Sequence, residues 1–254
     1  MRSSSAAEQL LRSLGVTTPA DVDVEAIAWA AGAKVRYGPL DSCEARIIGY
    51  RDKAIITVRE GGDRRRARFS VAHELGHWRH HRGRSSVCRS DEIGGRNPLV
   101  APAERQADSY AADLLMPAYL FRPEVAKHQR PSFEAIDALG DLFSTSRSAT
   151  ARRLVDLSPW PCMLVCHGPG GRRWFKRGDD VPEYWFPRDE LDAESSALDV
   201  LYGGKQLTSP QIIGADAWFE RRSAERFTVT EQSARAYEGG VLTLLTFKDP
   251  EMLN

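Results

Sequence analysis

No apolar run in this 254-residue chain approaches the ~20 residues that a helix needs to cross a bilayer. The N-terminus, Met1-Arg2-Ser3-Ser4-Ser5 and then an amphipathic Ala6–Leu14, lacks the apolar core of a signal peptide. Both absences predict a cytoplasmic protein with no membrane partner. Cysteine is scarce: the chain has only Cys43, Cys88, Cys162 and Cys166, which in a reducing compartment stay thiols. Cys162 and Cys166 fall in Pro161–His167, which reads as a strand and sets them roughly 13 Å apart on one face, a poor metal pair. They read as packing residues, whereas Cys88, in the loop between the candidate ligand helices, has a redox or inhibitory thiolate as its alternative role. Net charge is lacking as well, with 35 Lys and Arg against 35 Asp and Glu, so no global field draws the chain to nucleic acid. The arginines of Arg64–Arg68 and Arg79–Arg89 read as a solvated face, with an acidic or phosphate-bearing partner as the alternative. Repeats and low-complexity tracts are absent, and a hydrophobic fraction of 42% is enough for an ordinary core.

What is present is concentrated in His73-Glu74-Leu75-Gly76-His77, an H-E-x-x-H pattern inside a helical stretch, Asp63 to His80. Two imidazoles four residues apart stand on one helix face, about 40° and roughly 6 Å apart, so both reach one metal ion. Glu74, one position round, is placed to take a proton from a water that the metal polarises, as a zinc hydrolase requires. Gly62-Asp63 offers an N-cap, and Phe69, Ala72 and Gly76 recur on the side of the two histidines. A glycine in mid-helix costs roughly 0.5–1 kcal/mol against alanine, so Gly76 predicts a close approach to the backbone between the histidines.

A catalytic zinc site needs a third protein ligand. His81 lies about 12 Å along the helix from His73, too far to share its ion, and His80 with His81 reads as a solvated helix end. Downstream, Pro102 to Pro117 brackets a helix of about three to four turns. At 100° per residue, Glu104, Ala107, Asp108, Ala111 and Leu115 share a face, while Asp113 points away. Two acids on an apolar stripe need a partner, because burying a bare carboxylate is expensive. Metal ligation by Glu104 supplies one. Asp108, one turn on, is placed to accept the second ring N–H of a ligand histidine, or else to pair with an arginine.

The HELGH helix followed by E-x-x-A-D-x-Y-A-A-x-L-L-M-P over Glu104–Pro117 resembles the ImmA/IrrE family of bacterial metallopeptidases. The second block of that family commonly reads E-x-x-A-N-x-F-A-A-x-L-L-M-P, so Asp108 and Tyr110 depart mildly from its pattern. The resemblance, strong over roughly residues 1–125, implies zinc held by His73, His77 and Glu104, with Glu74 as general base. It also implies a protein substrate, a helix-turn-helix (Xre-type) repressor whose cleavage derepresses stress-response or mobile-element genes. The donor set suits manganese to some degree, with zinc as the default.

Along the chain the reading is α+β: helices at Ala6–Leu14 and Val24–Ala31, strands at Lys34–Tyr37, Ala45–Tyr50 and Ala54–Val58, then the motif helix. Ala54–Val58 can bind an extended peptide by strand addition if its edge is free, and cannot if it is interior. Phe133–Phe143 and Arg147–Leu157, flanking Ser144-Thr145-Ser146, have the spacing of a helix-turn-helix, with Arg147, Arg152 and Arg153 as candidate phosphate contacts. A helical pair packed within the protein is the commoner explanation, and direct nucleic-acid binding is the alternative function. Beyond Pro159, strands at Met163–His167, Arg173–Lys176, Ala224–Thr230 and Val241–Phe247 surround a helix near Arg188–Leu201. Trp174, Trp185 and Trp218 line either a ligand pocket or a core. The expected organisation is a zincin-like peptidase domain over 1–125, with a small sheet and active-site helices. A helix-turn-helix-like segment follows over 126–158, and then a mixed α/β module over 159–254, which the resemblance likens to a GAF-type sensor.

Overall fold

A computed structural model describes residues 4–41, 43–80, 86–88 and 102–253, the side chains of 86–88 and 238 excepted. They divide into two compact units: Met1–Phe121 with Gly140–Ala149, and Arg122–Leu139 with Thr150–Asn254. Residues 126–158, read from the sequence as a segment of their own, are thus shared between both units. Among the described residues no helix is long and apolar enough to cross a membrane.

The first unit opens with α1 (Ala6–Ser13) and α2 (Val24–Ala30), each started by a side chain that accepts orphan N–H groups: Ser5 takes that of Glu8, and Asp23 takes those of Glu25 and Ala26. Three strands follow, β1 (Ala33–Gly38), β2 (Ala45–Tyr50) and β3 (Lys53–Arg59), then α3 (Arg64–His80), the short β4 (Ser86–Cys88) and α4 (Pro102–Leu115). The sheet order is β1-β3-β2-β4, with β1 parallel to β3 and the other pairs antiparallel. Ala54–Val58 is therefore interior, and its backbone is taken on both sides, so strand addition there is ruled out. The outermost strands are β1 and β4. Cys88, expected in a loop, belongs by its backbone to β4; its thiol lies outside the described atoms, as do His81, Arg82, Arg84 and Arg89.

Period-two alternation decides which sheet face is covered. Ala45 and Ile47 of β2 and Ala54, Ile56 and Val58 of β3 are buried on the side where α3 packs. Gly49 is required there: a Cβ at that position would sit 2.3 Å from the Trp78 ring, whose Nε1–H donates to the Ala31 carbonyl at 3.1 Å. The arginines at the start of α3 bind within the unit and are not merely a solvated face. Arg65 meets Asp141 at 2.5 Å and donates to the Thr145 carbonyl, Arg68 donates to the Val22 carbonyl, and Arg66 lies 3.8 Å from Glu44.

After α5 (Ala118–Val125) come α6 (Phe133–Phe143) and α7 (Arg147–Leu157), with the helix bounds predicted for the pair. The second unit then builds a sheet from β5 (Cys162–Gly168), β6 (Gly171–Arg177), β7 (Gln211–Gly214), β8 (Thr228–Arg235) and β9 (Val241–Thr246), antiparallel throughout in the order β6-β5-β9-β8-β7. Two expectations fail here. Ala224–Arg226 forms a 3-10 turn and the strand begins only at Thr228, while the helix expected near Arg188–Leu201 shrinks to α8 (Ala197–Leu201). The cause of the second is a contact distant in sequence. Ser195 Oγ and the Ser196 N–H and hydroxyl donate to the fully buried carboxylate of Glu231, which the Trp218 indole also reaches at 2.7 Å. Satisfying that charge holds the chain before α8 out of a helix.

Trp185 and Trp218 are core residues, packed with Phe219 and Phe247, whereas Trp174 is half-buried with the Arg152 guanidinium 3.9 Å from its ring centre. Cys162 and Cys166 are buried, and burial pushes the Cys162 thiol up to about 12, so both behave as packing groups. Cys43 is buried as well, and none of these three is in a disulfide.

Candidate metal centre

Asp63 starts the ligand helix by accepting the Arg66 N–H at 2.9 Å, and from Ser70 to Trp78 every residue of α3 is buried. An all-round buried helix holds its side chains in fixed rotamers. His73 and Glu74 are fully buried and His77 nearly so, with Glu104 of α4 half-buried beside them. The close approach expected at Gly76 is to α4: a Cβ there would lie 2.9 Å from the Ala107 Cα and 3.1 Å from its carbonyl oxygen. Two small residues face to face let the helices come near enough for an α4 carboxylate to reach the α3 imidazoles. That pairing, Gly76 with Ala107, was only half visible in the sequence; the signal was the alanine spacing of the second block.

Three donor atoms converge. His73 Nε2 lies 3.1 Å from His77 Nε2 and 3.1 Å from Glu104 Oε2, and His77 Nε2 lies 3.3 Å from the same oxygen. The group His73, His77, Glu104 is a candidate metal cluster by geometry. On the other edge of the ring, His73 Nδ1 donates to Asp108 Oδ1 at 2.9 Å. That bond fixes the tautomer, leaving the Nε2 lone pair of His73 turned toward His77 and Glu104. Burial alone would raise the Glu104 carboxyl, but the hydrogen bonds and charges of His73 and His77 outweigh it and hold Glu104 well below the usual carboxylate range. The oxygen is thus a charged donor at neutral pH.

Whether these residues suit a metal can be tested on the donor set itself. Two imidazole nitrogens and one anionic oxygen, mutually about as far apart as the ~3.3 Å edges of a tetrahedron with bonds of ~2.0–2.1 Å, fit a zinc-type ion. Three ligands leave a fourth position for water or substrate. The remaining candidates stand apart from it: His80 packs edge-on against Tyr110, and burial pushes that phenol up to about 12, so Tyr110 stays neutral. Of the arginines considered for phosphate contact, Arg153 is buried and Arg152 lies against Trp174.

No curated protein matches the chain. Among solved structures, a Mycobacterium tuberculosis transcriptional regulator is similar with a TM-score of 0.62 at 14% identity, the alignment covering 97% of this chain and 88% of that one. At such identity the likeness shows the fold alone. The family model of the IrrE N-terminal-like domain of peptidases matches residues 28–155, which hold both ligand helices. With half of its length matched, and His73, His77, Glu104 and Asp108 all inside the match, the chain belongs to the IrrE N-terminal-like peptidase family.

Proposed function

We propose that this chain is a zinc-dependent endopeptidase that cleaves a helix-turn-helix (Xre-type) repressor and so derepresses stress-response or mobile-element genes. The observation that carries the chemistry is the convergence of His73 Nε2, His77 Nε2 and Glu104 Oε2, with the buried Glu74 next to His73 in the chain. When bound, the metal polarises the scissile carbonyl and lowers the pKa of its water to about 7. Glu74 accepts the proton of the attacking water and returns it to the leaving amine nitrogen. Asp108 holds the His73 ring in register through its Nδ1–H. The repressor as substrate rests on the family resemblance, and family membership with a fold shared by a transcriptional regulator supports a regulatory setting.

The alternative, a DNA-binding regulator, would have to use α6 and α7. The burial of Arg153 and the stacking of Arg152 on Trp174 speak against that use. The test is incubation of the metal-loaded chain with the helix-turn-helix repressor encoded nearest to its gene, beside Glu74→Gln, read by intact mass. Cleavage at one bond by the wild type alone is expected. Salt-sensitive duplex binding with an intact repressor would favour the regulator instead.

A further inference from the structure

The face of the four-stranded sheet turned away from α3 carries a feature that metal chemistry does not use. Pairing places Lys34, Ile55 and Ile48 in one row across β1, β3 and β2, and Arg36, Thr57 and Arg46 in the next. Tyr50 with Lys53, and Arg59, complete the same face. Its centre is aliphatic: Ile48 is 51% and Ile55 42% exposed, side by side. Its surround among the described residues is mostly cationic, with Lys34, Arg36, Arg46, Lys53 and Arg59 on the strands and acids only at the strand ends, where Glu60 follows β3 and Glu44, preceding β2, meets Arg59 at 3.4 Å. In the turn, Arg51 and Asp52 offset each other. A chain with no net charge has therefore gathered positive charge on one sheet face.

Arg46 makes the case sharper. It is half-buried in mid-strand, and its Nε is buried with no hydrogen-bond partner among the described residues. A buried guanidinium N–H without an acceptor is costly, and an anion that accepts from it removes that cost. Adjacent exposed isoleucines are likewise costly in water and favourable under a partner. An apolar centre inside a charged rim is the anatomy of a protein-binding patch. Nucleic acid fits it less well, because bases stack on aromatic rings, and here the central pair is aliphatic while Tyr50 lies at the strand end with the Arg51 guanidinium 5.2 Å from its ring centre.

We propose that this outer sheet face docks an acidic protein segment bearing aliphatic side chains, the acids pairing with Lys34, Arg36 and Arg46 and the aliphatics covering Ile48 and Ile55. The site is separate from the metal centre, and its occupancy does not depend on cleavage. The test is panning of a random displayed-peptide library on the full-length chain, followed by affinity measurement of the enriched peptides on wild type, Ile48→Ser, Lys34→Glu and Arg46→Gln. Ile48 and Lys34 are exposed, so their variants keep the fold even if the third does not. The expected result is enrichment of acidic peptides with aliphatic positions, whose affinity falls about tenfold or more in Ile48→Ser and in Lys34→Glu and weakens with added salt. Enrichment of no peptide, or of peptides indifferent to both substitutions, would overturn the proposal. So would binding of an oligothymidylate that these substitutions abolish while peptide binding is absent. Cleavage is not read in this experiment, so its result stands whether or not the peptidase assay succeeds.

Discussion

At the scale of the residue, each side chain of the candidate metal centre has a separable expected effect. Glu104→Ala removes the anionic donor and leaves two imidazoles, so metal content is expected to collapse when measured by mass spectrometry of the dialysed protein; equal loading would remove Glu104 from the ligand set. Glu74→Gln keeps its volume and all three donors, so metal content stays while cleavage falls by about 10²–10⁴, the usual contribution of a positioned base. Asp108→Ala leaves the donors and frees the His73 ring. Metal affinity is expected to drop about 10–100-fold, read by chelator competition, and an unchanged affinity would make Asp108 a packing residue. The convergence of these side chains was legible in the sequence, because the i, i+4 spacing of His73 and His77 and the 100° projection of Glu104 and Asp108 are properties of the α-helix alone. That the Arg46 Nε has no hydrogen-bond partner among the described residues was not legible, since it depends on which side chains neighbouring strands bring together.

At the scale of the element, the site is a contact between two helices, and Gly76 against Ala107 sets their separation. Gly76→Ala should gain roughly 0.5–1 kcal/mol of helix propensity. The new methyl meets backbone, which cannot swing aside as a side chain does, and overpacking of this kind costs about 1–3 kcal/mol. The clash wins, so the variant is expected to melt lower and, with α4 pushed away, to bind metal more weakly; a higher melting temperature with unchanged metal affinity would contradict the packing account. The helices were readable because caps and periodicity are local: α6 and α7 were placed to the residue, and α3 to within one. In the second unit the helix expected near Arg188–Leu201 failed for a non-local reason. There the conformation answers to the buried Glu231 carboxylate, which lies on a strand whose hydrogen-bond partners are distant in sequence. The interior place of β3 was likewise undecidable from its β-rich composition, which suits an edge or a centre equally.

At the scale of the whole molecule, two compact units carry two different chemical sensitivities. The candidate metal ligands belong to the first. A ligand that binds only the folded state adds stability in proportion to the logarithm of its excess, about 4 kcal/mol at a thousandfold over Kd, and the donors sit on α3 and α4. Acid belongs to the second, through His167 on β5. Its ring is almost wholly buried, its Nε2 faces the Arg188 carbonyl at 3.4 Å, and Arg172 and Asp189 are its charged neighbours. Burial first, and then the Arg172 charge, hold its pKa below the usual value for histidine. The sign follows from which state binds the proton first. In the unfolded chain His167 protonates as pH falls through about 6.5, whereas in the folded unit it resists, so stability declines below that pH until the folded pKa is passed. Amide hydrogen exchange separates the two effects. Metal loading at neutral pH is expected to slow exchange in α3 and α4, and lowering the pH from 7 to 5.5, after correction for the intrinsic rate, to hasten opening in β5 and β9. His167→Gln should flatten the acid response of β5 and β9 and leave the metal response of α3 and α4 intact. An acid response that survives His167→Gln would assign it to another group.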